Sequence, residues 1–126
     1  MTKKSFIISG TEQEVFDHVC EHLAQQKRRA VDDAGSCVYR AEDGLKCAIG
    51  CFIPDNKYAK LMEGKAIHIL ELEGRFNSNL DIVFLSQLQV AHDTSYSSAR
   101  LKDHLRSIAY TYGLNKAKID LITEWS

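Results

Sequence analysis

Cysteine is the residue type whose spacing in this chain could support chemistry. Three of the four cysteines lie close together, at Cys37, Cys47 and Cys51. Thiolates and imidazoles are the ligands that tetrahedral zinc prefers, and Cys47 and Cys51 have the spacing of one zinc knuckle. Cys37 has no such neighbour, so one of the five histidines would have to help complete the site. Free cysteines are more often buried as small apolar side chains, and we expect that role here.

The cysteines could also act as nucleophiles if the fold brought a histidine next to a thiol, because an adjacent imidazole activates the thiolate. No motif of a thiol enzyme surrounds any of them, and Cys20 lies on the apolar stripe of a predicted helix. We therefore expect no cysteine nucleophile.

A histidine and aspartate pair, His92-Asp93, is the second candidate for chemistry. With His68 before it and Asp120 after it, the pair resembles the order of metal ligands in the HD-type phosphohydrolases. The alternative is that the pair only closes the end of a helix, where an imidazole can bond the last carbonyl groups. We assign no catalytic residue, no metal and no cofactor. A metal-dependent hydrolase would draw on five candidate ligands: Cys37, Cys47, Cys51, His92 and Asp93.

Cationic and aromatic residues cluster around one predicted turn. They are Lys27, Arg28 and Arg29 at the end of the first predicted helix, and Tyr39, Arg40 and Lys46 on the hairpin predicted after it. Tyrosine and arginine are enriched in the hot spots of protein interfaces. We therefore expect an exposed cationic face that binds an acidic surface of a partner protein. A solvated helix end is the alternative, because Asp32 and Asp33 follow and would neutralise much of the charge.

The composition limits the possible partners and the location. Sixteen Lys and Arg against 17 Asp and Glu leave a formal net charge of −1, which argues against a general footprint for nucleic acid or anionic membrane. The apolar run Phe6 to Ile8 is too short for a signal peptide, and no stretch is long enough to span a bilayer. We expect a cytoplasmic protein with reduced cysteines, folded as a single domain over residues 1–126.

Helix signals are strong at both ends of the chain. Thr11 and Glu14 form a capping box ahead of an apolar stripe, which predicts a helix over 12–28. Asn79 is placed to cap a helix over 80–92. Ser97 or Ser98 can cap a third helix, which Gly113 would end in a left-handed conformation.

The middle of the chain gives weaker signals. The turn at Asp43-Gly44 between two β-prone runs predicts a hairpin over 37–52, although the part of its second arm from Cys47 to Cys51 could instead be one turn of a buried helix. Pro54-Asp55 predicts the start of a short helix that ends at Gly64. A short helix over 66–72, a loop over 74–79 and a strand or helical turn within 114–125 complete an α+β fold, helix-rich, with a small β-hairpin.

The order of motifs along residues 11 to 114 resembles a family of small uncharacterised proteins from phages, prophages and bacterial genomes. The motifs are Gln13-Glu-Val-Phe-Asp-x-Val-x-x-His-Leu23, Cys37-x-Tyr39-Arg40, Gly44-Leu-Lys-Cys47-Ala-Ile-Gly-Cys51, Ile53-Pro-Asp55, Tyr58, Met62-Glu-Gly64, Leu88-Gln89 and His92-Asp93. The resemblance implies a phage or mobile-element origin and assigns no catalytic residue. Phage proteins of this size are often inhibitors or adaptors that bind a host protein.

Three functions therefore stand as expectations. We expect a small non-enzymatic protein-binding module, and the resemblance implies that it is a phage-encoded inhibitor of a host or defence complex. A small metal-dependent hydrolase is the alternative. The third is an oligomerisation role, in which Phe6, Ile7 and Ile8 add a strand to a neighbouring molecule. The partner and the oligomeric state stay open.

Overall fold

The computed structural model describes residues 5–126. It contains the strands β1 (Phe6–Ile8) and β2 (Phe76–Ser78) and the helices α1 (Glu12–Gln26), α2 (Ile67–Leu72), α3 (Ile82–Thr94) and α4 (Ser98–Tyr112). Short 3-10 turns lie at Gly50–Phe52, Lys60–Met62 and Ala117–Leu121. This architecture confirms the predicted helix-rich α+β fold. Within the described residues no helix is both long and apolar enough to cross a membrane.

The predicted capping box at the start of α1 is present. The Glu14 N–H donates to Thr11 Oγ1 at 3.1 Å, and the Thr11 N–H donates to Glu14 Oε1 at 2.9 Å. The helix ends at Gln26, because Lys27 adopts a left-handed φ of 70° and its N–H bonds the Leu23 carbonyl. The predicted end at residue 28 was thus two residues too late.

The caps of the later helices were predicted with mixed success. Ser97 caps α4 through the Arg100 N–H, and Gly113 ends it in a left-handed conformation, as predicted. Asn79 does not cap α3, because its amide donates to the Gly10 carbonyl. Asp81 caps α3 by accepting the Val83 N–H, so the helix is shifted toward 82–94.

The two strands pair in parallel and close one side of the core. Phe6 lies opposite Phe76, with ring centroids 5.5 Å apart, so part of the predicted loop 74–79 is a strand. Phe6 and Ile8 are buried and Ile7 is 67% exposed. The expectation that all three are surface residues available to a neighbour is wrong for two of them, because they pack into the core.

The predicted hairpin is present only as a turn. The Ala41 N–H donates to Leu45 O, and a single antiparallel bridge joins Arg40 to Lys46. The second arm turns away after Lys46 and forms the helical turn that was its alternative, in which the Cys51 N–H donates to Cys47 O at 3.2 Å. Gly50 begins a 3-10 turn there and packs so tightly that an added Cβ would lie 1.9 Å from Tyr39 O. The small sheet of this fold is the β1–β2 pair instead.

The predicted helix from Pro54 to Gly64 is wrong as a continuous element. The N–H groups of Lys57 and Tyr58 both donate to the Pro54 carbonyl, which makes one turn. Ala59 is extended, with φ −138° and ψ 137°, and so separates this turn from the 3-10 turn at Lys60–Met62. Residues 27–66 therefore contain no α-helix and no strand. Their buried backbone groups need other hydrogen-bond partners.

Candidate functional site

Glu63 holds the irregular middle segment together. Its Oε1 accepts the Tyr39 N–H at 2.7 Å, and its Oε2 accepts the Arg40 N–H at 3.1 Å and the Tyr58 hydroxyl at 2.7 Å. Hydrogen bonds to a charged acceptor are stronger than neutral ones. Desolvation and the bond to Glu63 raise the pKa of Tyr58 to about 12, so its hydroxyl keeps its proton. The Met-Glu-Gly motif thus has a structural role.

Arg40 is used inside the molecule and is not free for a partner. Its guanidinium donates to Ile53 O at 3.0 Å, pairs with Asp55 at 3.0 Å and lies over the Tyr58 ring at 4.6 Å. Only 20% of its side chain is exposed. Tyr39 is buried, and its hydroxyl donates to Lys65 O. The expectation that Tyr39 and Arg40 form an exposed contact surface is therefore wrong.

The other four residues of the expected cationic face are not arranged as one patch. Lys46 is half-buried, and its carbonyl accepts bonds from the His22 and Gln26 side chains of α1 at 2.9 and 2.8 Å. Arg29 lies over the Tyr96 ring at 4.2 Å. Lys27 and Arg28 are exposed, and Arg28 lies 3.7 Å from Asp43. Because Arg29 contacts Tyr96 and Arg28 lies near Asp43, these cations do not form one exposed positive surface.

His92 is a fully buried histidine whose two ring nitrogens are both occupied. The Ala30 N–H donates to Nε2 at 3.0 Å, so Nε2 must be unprotonated. The proton of the neutral ring is then on Nδ1, which donates to Asp93 Oδ1 at 2.7 Å. The ring also packs edge-on against Trp125, with centroids 5.6 Å apart. These contacts give His92 one tautomer and a structural role.

A possible metal cluster contains Cys37, His92 and Asp93, whose ligand atoms lie within 4.8 Å of one another. A metal there would bind through the lone pair of His92 Nδ1. In the tautomer that the hydrogen bonds require, Nδ1 carries a proton and has no free lone pair. Moving the proton to Nε2 would set two donors, Nε2–H and the Ala30 N–H, against each other across 3.0 Å. The residues present therefore do not suit a metal.

The remaining metal candidates lie outside that cluster. Within residues 5–126, only the cluster of Cys37, His92 and Asp93 brings three possible ligand atoms together. Neither Cys47 nor Cys51 belongs to this cluster. His68 and Asp120, the further ligands expected for a phosphohydrolase, are both exposed and also lie outside it. The fold does not assemble the ligand set that the sequence order resembled.

The four thiols are held in their protonated form. Burial raises the pKa of Cys20 and of Cys51 to about 12 and also raises the pKa of Cys47. Burial, followed by the Asp93 charge, raises the pKa of Cys37. Cys20 and Cys47 are buried, as expected, and the other two are partly buried. Because the thiolate is the nucleophile and the metal ligand, these environments suit packing.

Gln89 links α3 to the middle segment. Its Oε1 accepts the Ile49 N–H at 3.1 Å, and its Nε2 donates to Asp93 Oδ1 at 2.8 Å. Asp93 Oδ1 also accepts the hydrogen bond from His92 Nδ1–H, and the Cys37 thiol donates to the Asp93 carbonyl at 3.7 Å. The side chains at these motif positions thus satisfy backbone groups that a helix or sheet would otherwise satisfy.

Two depressions are lined in part by residues of this network. The smaller, which we call the α3 groove, has a volume of about 350 Å³ and is lined by Cys37, Tyr39, Ile67, Gln89 and Asp93 among others. Its charged and polar groups belong largely to the network described above. It is the smaller of the two depressions, and its lining suggests no particular ligand.

The larger depression, which we call the acidic cleft, has a volume of about 1060 Å³. Four exposed carboxylates line it: Asp32, Asp33, Glu42 and Asp43. Its other lining residues include Val31, Val38, Ala41, Arg40, Tyr58, Lys60 and Glu63. From the sequence, Asp32 and Asp33 were expected only to neutralise the neighbouring cations. The signal for this cleft was the recurrence of an acidic pair at Glu42-Asp43, on the next predicted turn.

Comparison with protein-family models, with curated proteins and with solved structures finds no match to this chain. The assignment of function therefore depends on the site itself.

Proposed function

We propose that this protein is a small non-enzymatic protein-binding module and that the acidic cleft is the surface that receives its partner. The observation that carries the proposal is the cleft of about 1060 Å³, which is formed entirely by residues 31–63. That segment has no regular secondary structure apart from short 3-10 turns, yet hydrogen bonds to Glu63 and Gln89 fix its backbone at Tyr39 and Ile49. Binding residues are commonly found on loops that a rigid scaffold positions.

The chemistry of the buried polar groups favours binding over catalysis. Both nitrogens of His92 are occupied, and the raised pKa values of the cysteines keep the thiols protonated. A metal-dependent hydrolase at Cys37, His92 and Asp93 would need the other tautomer of His92. This is why we place that alternative second.

The resemblance to small phage and prophage proteins supports a narrower version of the proposal. In that version, the partner belongs to a host or defence complex, and the module acts as an inhibitor by occupying a surface of that complex. The module acts in the cytoplasm, where such complexes lie.

Site-specific photo-crosslinking in bacterial cells tests the proposal. A benzophenone amino acid is placed at Ala34, Glu42 or Lys60, which line the cleft, and at the control positions Asp103 and Thr111 on α4. All five positions are exposed, so the substitutions leave the core intact. We expect the same crosslinked partner from the cleft positions and none from α4. A lack of adducts at all three cleft positions, or equal adducts at α4, contradicts the proposal.

A further inference from the structure

The acidic cleft combines an apolar floor with a negative rim. Val31 and Val38 are half-buried and Ala41 is buried, so the lining offers apolar contact area. Four exposed carboxylates, from Asp32 to Asp43, surround them, against one exposed cation, Lys60. In a groove of this kind, burial of apolar surface on the floor contributes to affinity. The charge of the rim determines which partners can bind.

The positive groups near the cleft do not cancel this charge, because Lys60 is a single exposed cation in the lining against four exposed carboxylates. Arg40 is paired with Asp55, and Arg28 reaches only one oxygen of Asp43, at 3.7 Å. Asp33 and Glu42 have no ion-pair or hydrogen-bond partner within the described residues. These two carboxylates are therefore free to meet a charge from outside. Since the whole chain carries a formal charge of only −1, the negative potential is local to this face.

Both loops that carry the rim are closed by their own hydrogen bonds. In the first, Asp32 Oδ1 accepts the N–H groups of Ala34 and Ser36, each at 2.9 Å. In the second, the Gly44 N–H donates to Ala41 O at 3.0 Å. Loops that are already ordered lose little conformational entropy when a partner binds.

We infer that the acidic cleft binds an extended segment of a partner protein that is rich in arginine and lysine. This inference rests on the proposed function and names the chemistry of the partner. Its sign is opposite to that expected from the cluster at Lys27 to Arg29, Tyr39, Arg40 and Lys46. A cationic side chain would pair with Asp33 or Glu42, while the stems of neighbouring side chains cover Val31 and Val38.

Fluorescence anisotropy with synthetic peptides tests the inference on the purified full-length protein. The probes are a labelled octapeptide of alternating arginine and glycine and a matched peptide of alternating glutamate and glycine. We expect the arginine peptide to bind and the glutamate peptide not to bind. The double variant D33N/E42Q should weaken binding by about tenfold, because it removes two exposed charge pairs.

A second double variant, D120N/E124Q, is the matched control. It removes the same net charge from exposed residues near the C-terminal end that do not line the cleft. We expect this control to keep the affinity of the parent protein. If both double variants weaken binding equally, or if the two peptides bind alike, the inference is overturned. Crosslinking from the cleft positions would still support the proposed function in that event, with a partner of different chemistry.

Discussion

The backbone N–H of Ala30 and the Nε2 atom of His92 are 3.0 Å apart, although 62 residues separate them in sequence. Because the N–H can only donate, this contact determines which nitrogen of the buried imidazole carries the proton. The same contact ties the segment after α1 to the last turn of α3. A pair that resembled metal ligands in sequence is thus part of the structural framework.

We predict that His92 is the Nδ1–H tautomer and that the protein does not depend on a metal. Long-range ¹H–¹⁵N correlation spectra should show a protonated Nδ1 and an unprotonated Nε2. Dialysis against a chelator should leave the urea midpoint unchanged. His92→Ala should cost about 3 kcal/mol, because it creates a cavity and leaves the Ala30 N–H without its partner. Stoichiometric zinc in the purified protein would refute this prediction.

The Glu63 carboxylate should be needed for stability. Glu63→Gln keeps the shape of the side chain but replaces one carboxylate oxygen with an NH2 group. One of the Tyr39 and Arg40 N–H groups would then face a donor instead of an acceptor. We expect a loss of about 2 kcal/mol in urea denaturation. Glu71→Gln is the control, since Glu71 is exposed, and should change stability by less than about 0.5 kcal/mol. Equal effects in the two variants would mean that the Glu63 hydrogen bonds contribute nothing net.

Gly50 should tolerate no side chain. In Gly50→Ala the new Cβ would lie 1.9 Å from Tyr39 O, so the backbone must move, and we expect a loss of more than about 3 kcal/mol or failure to fold. Gly44→Ala is the comparison, because Gly44 has a φ of +89° but open space around it. It should cost only about 1 kcal/mol. Comparable midpoints for the two variants would show that the close packing of Gly50 on Tyr39 is not required.

Stability should fall on mild acidification because of His22. Burial lowers the pKa of His22 from its usual 6.5, although its Nε2–H bond to Lys46 O partly opposes this. The unfolded chain therefore binds the proton more readily, so the contribution to stability is complete above pH 6.5 and is lost as the pH falls below it. Urea midpoints between pH 7.5 and 5.5 should decline less steeply in His22→Gln than in the parent. An identical slope would contradict the role of His22.

The helices at both ends of the chain were predictable because their signals are local. Thr11 and Glu14 are three residues apart, and Ser97 and Gly113 act on the turns next to them. Such caps act within one turn, so the order of residues is enough to find them. The start of α3 was predicted wrongly because its expected cap had a competing partner: Asn79 bonds the Gly10 carbonyl in place of its own helix.

The site was decided by the tertiary structure. The sequence alone determined a helix-rich α+β chain with nearly balanced charge and set out the candidate residues, but it could not assign their partners. Arg40 was expected at the surface because it lies on a predicted hairpin and arginine is enriched in interface hot spots, yet Asp55, Tyr58 and the Ile53 carbonyl surround it. Asp33 and Glu42 come together only when two loops fold against each other. Charge and hydrogen bonding depend on distance in space, and sequence separation does not encode that distance.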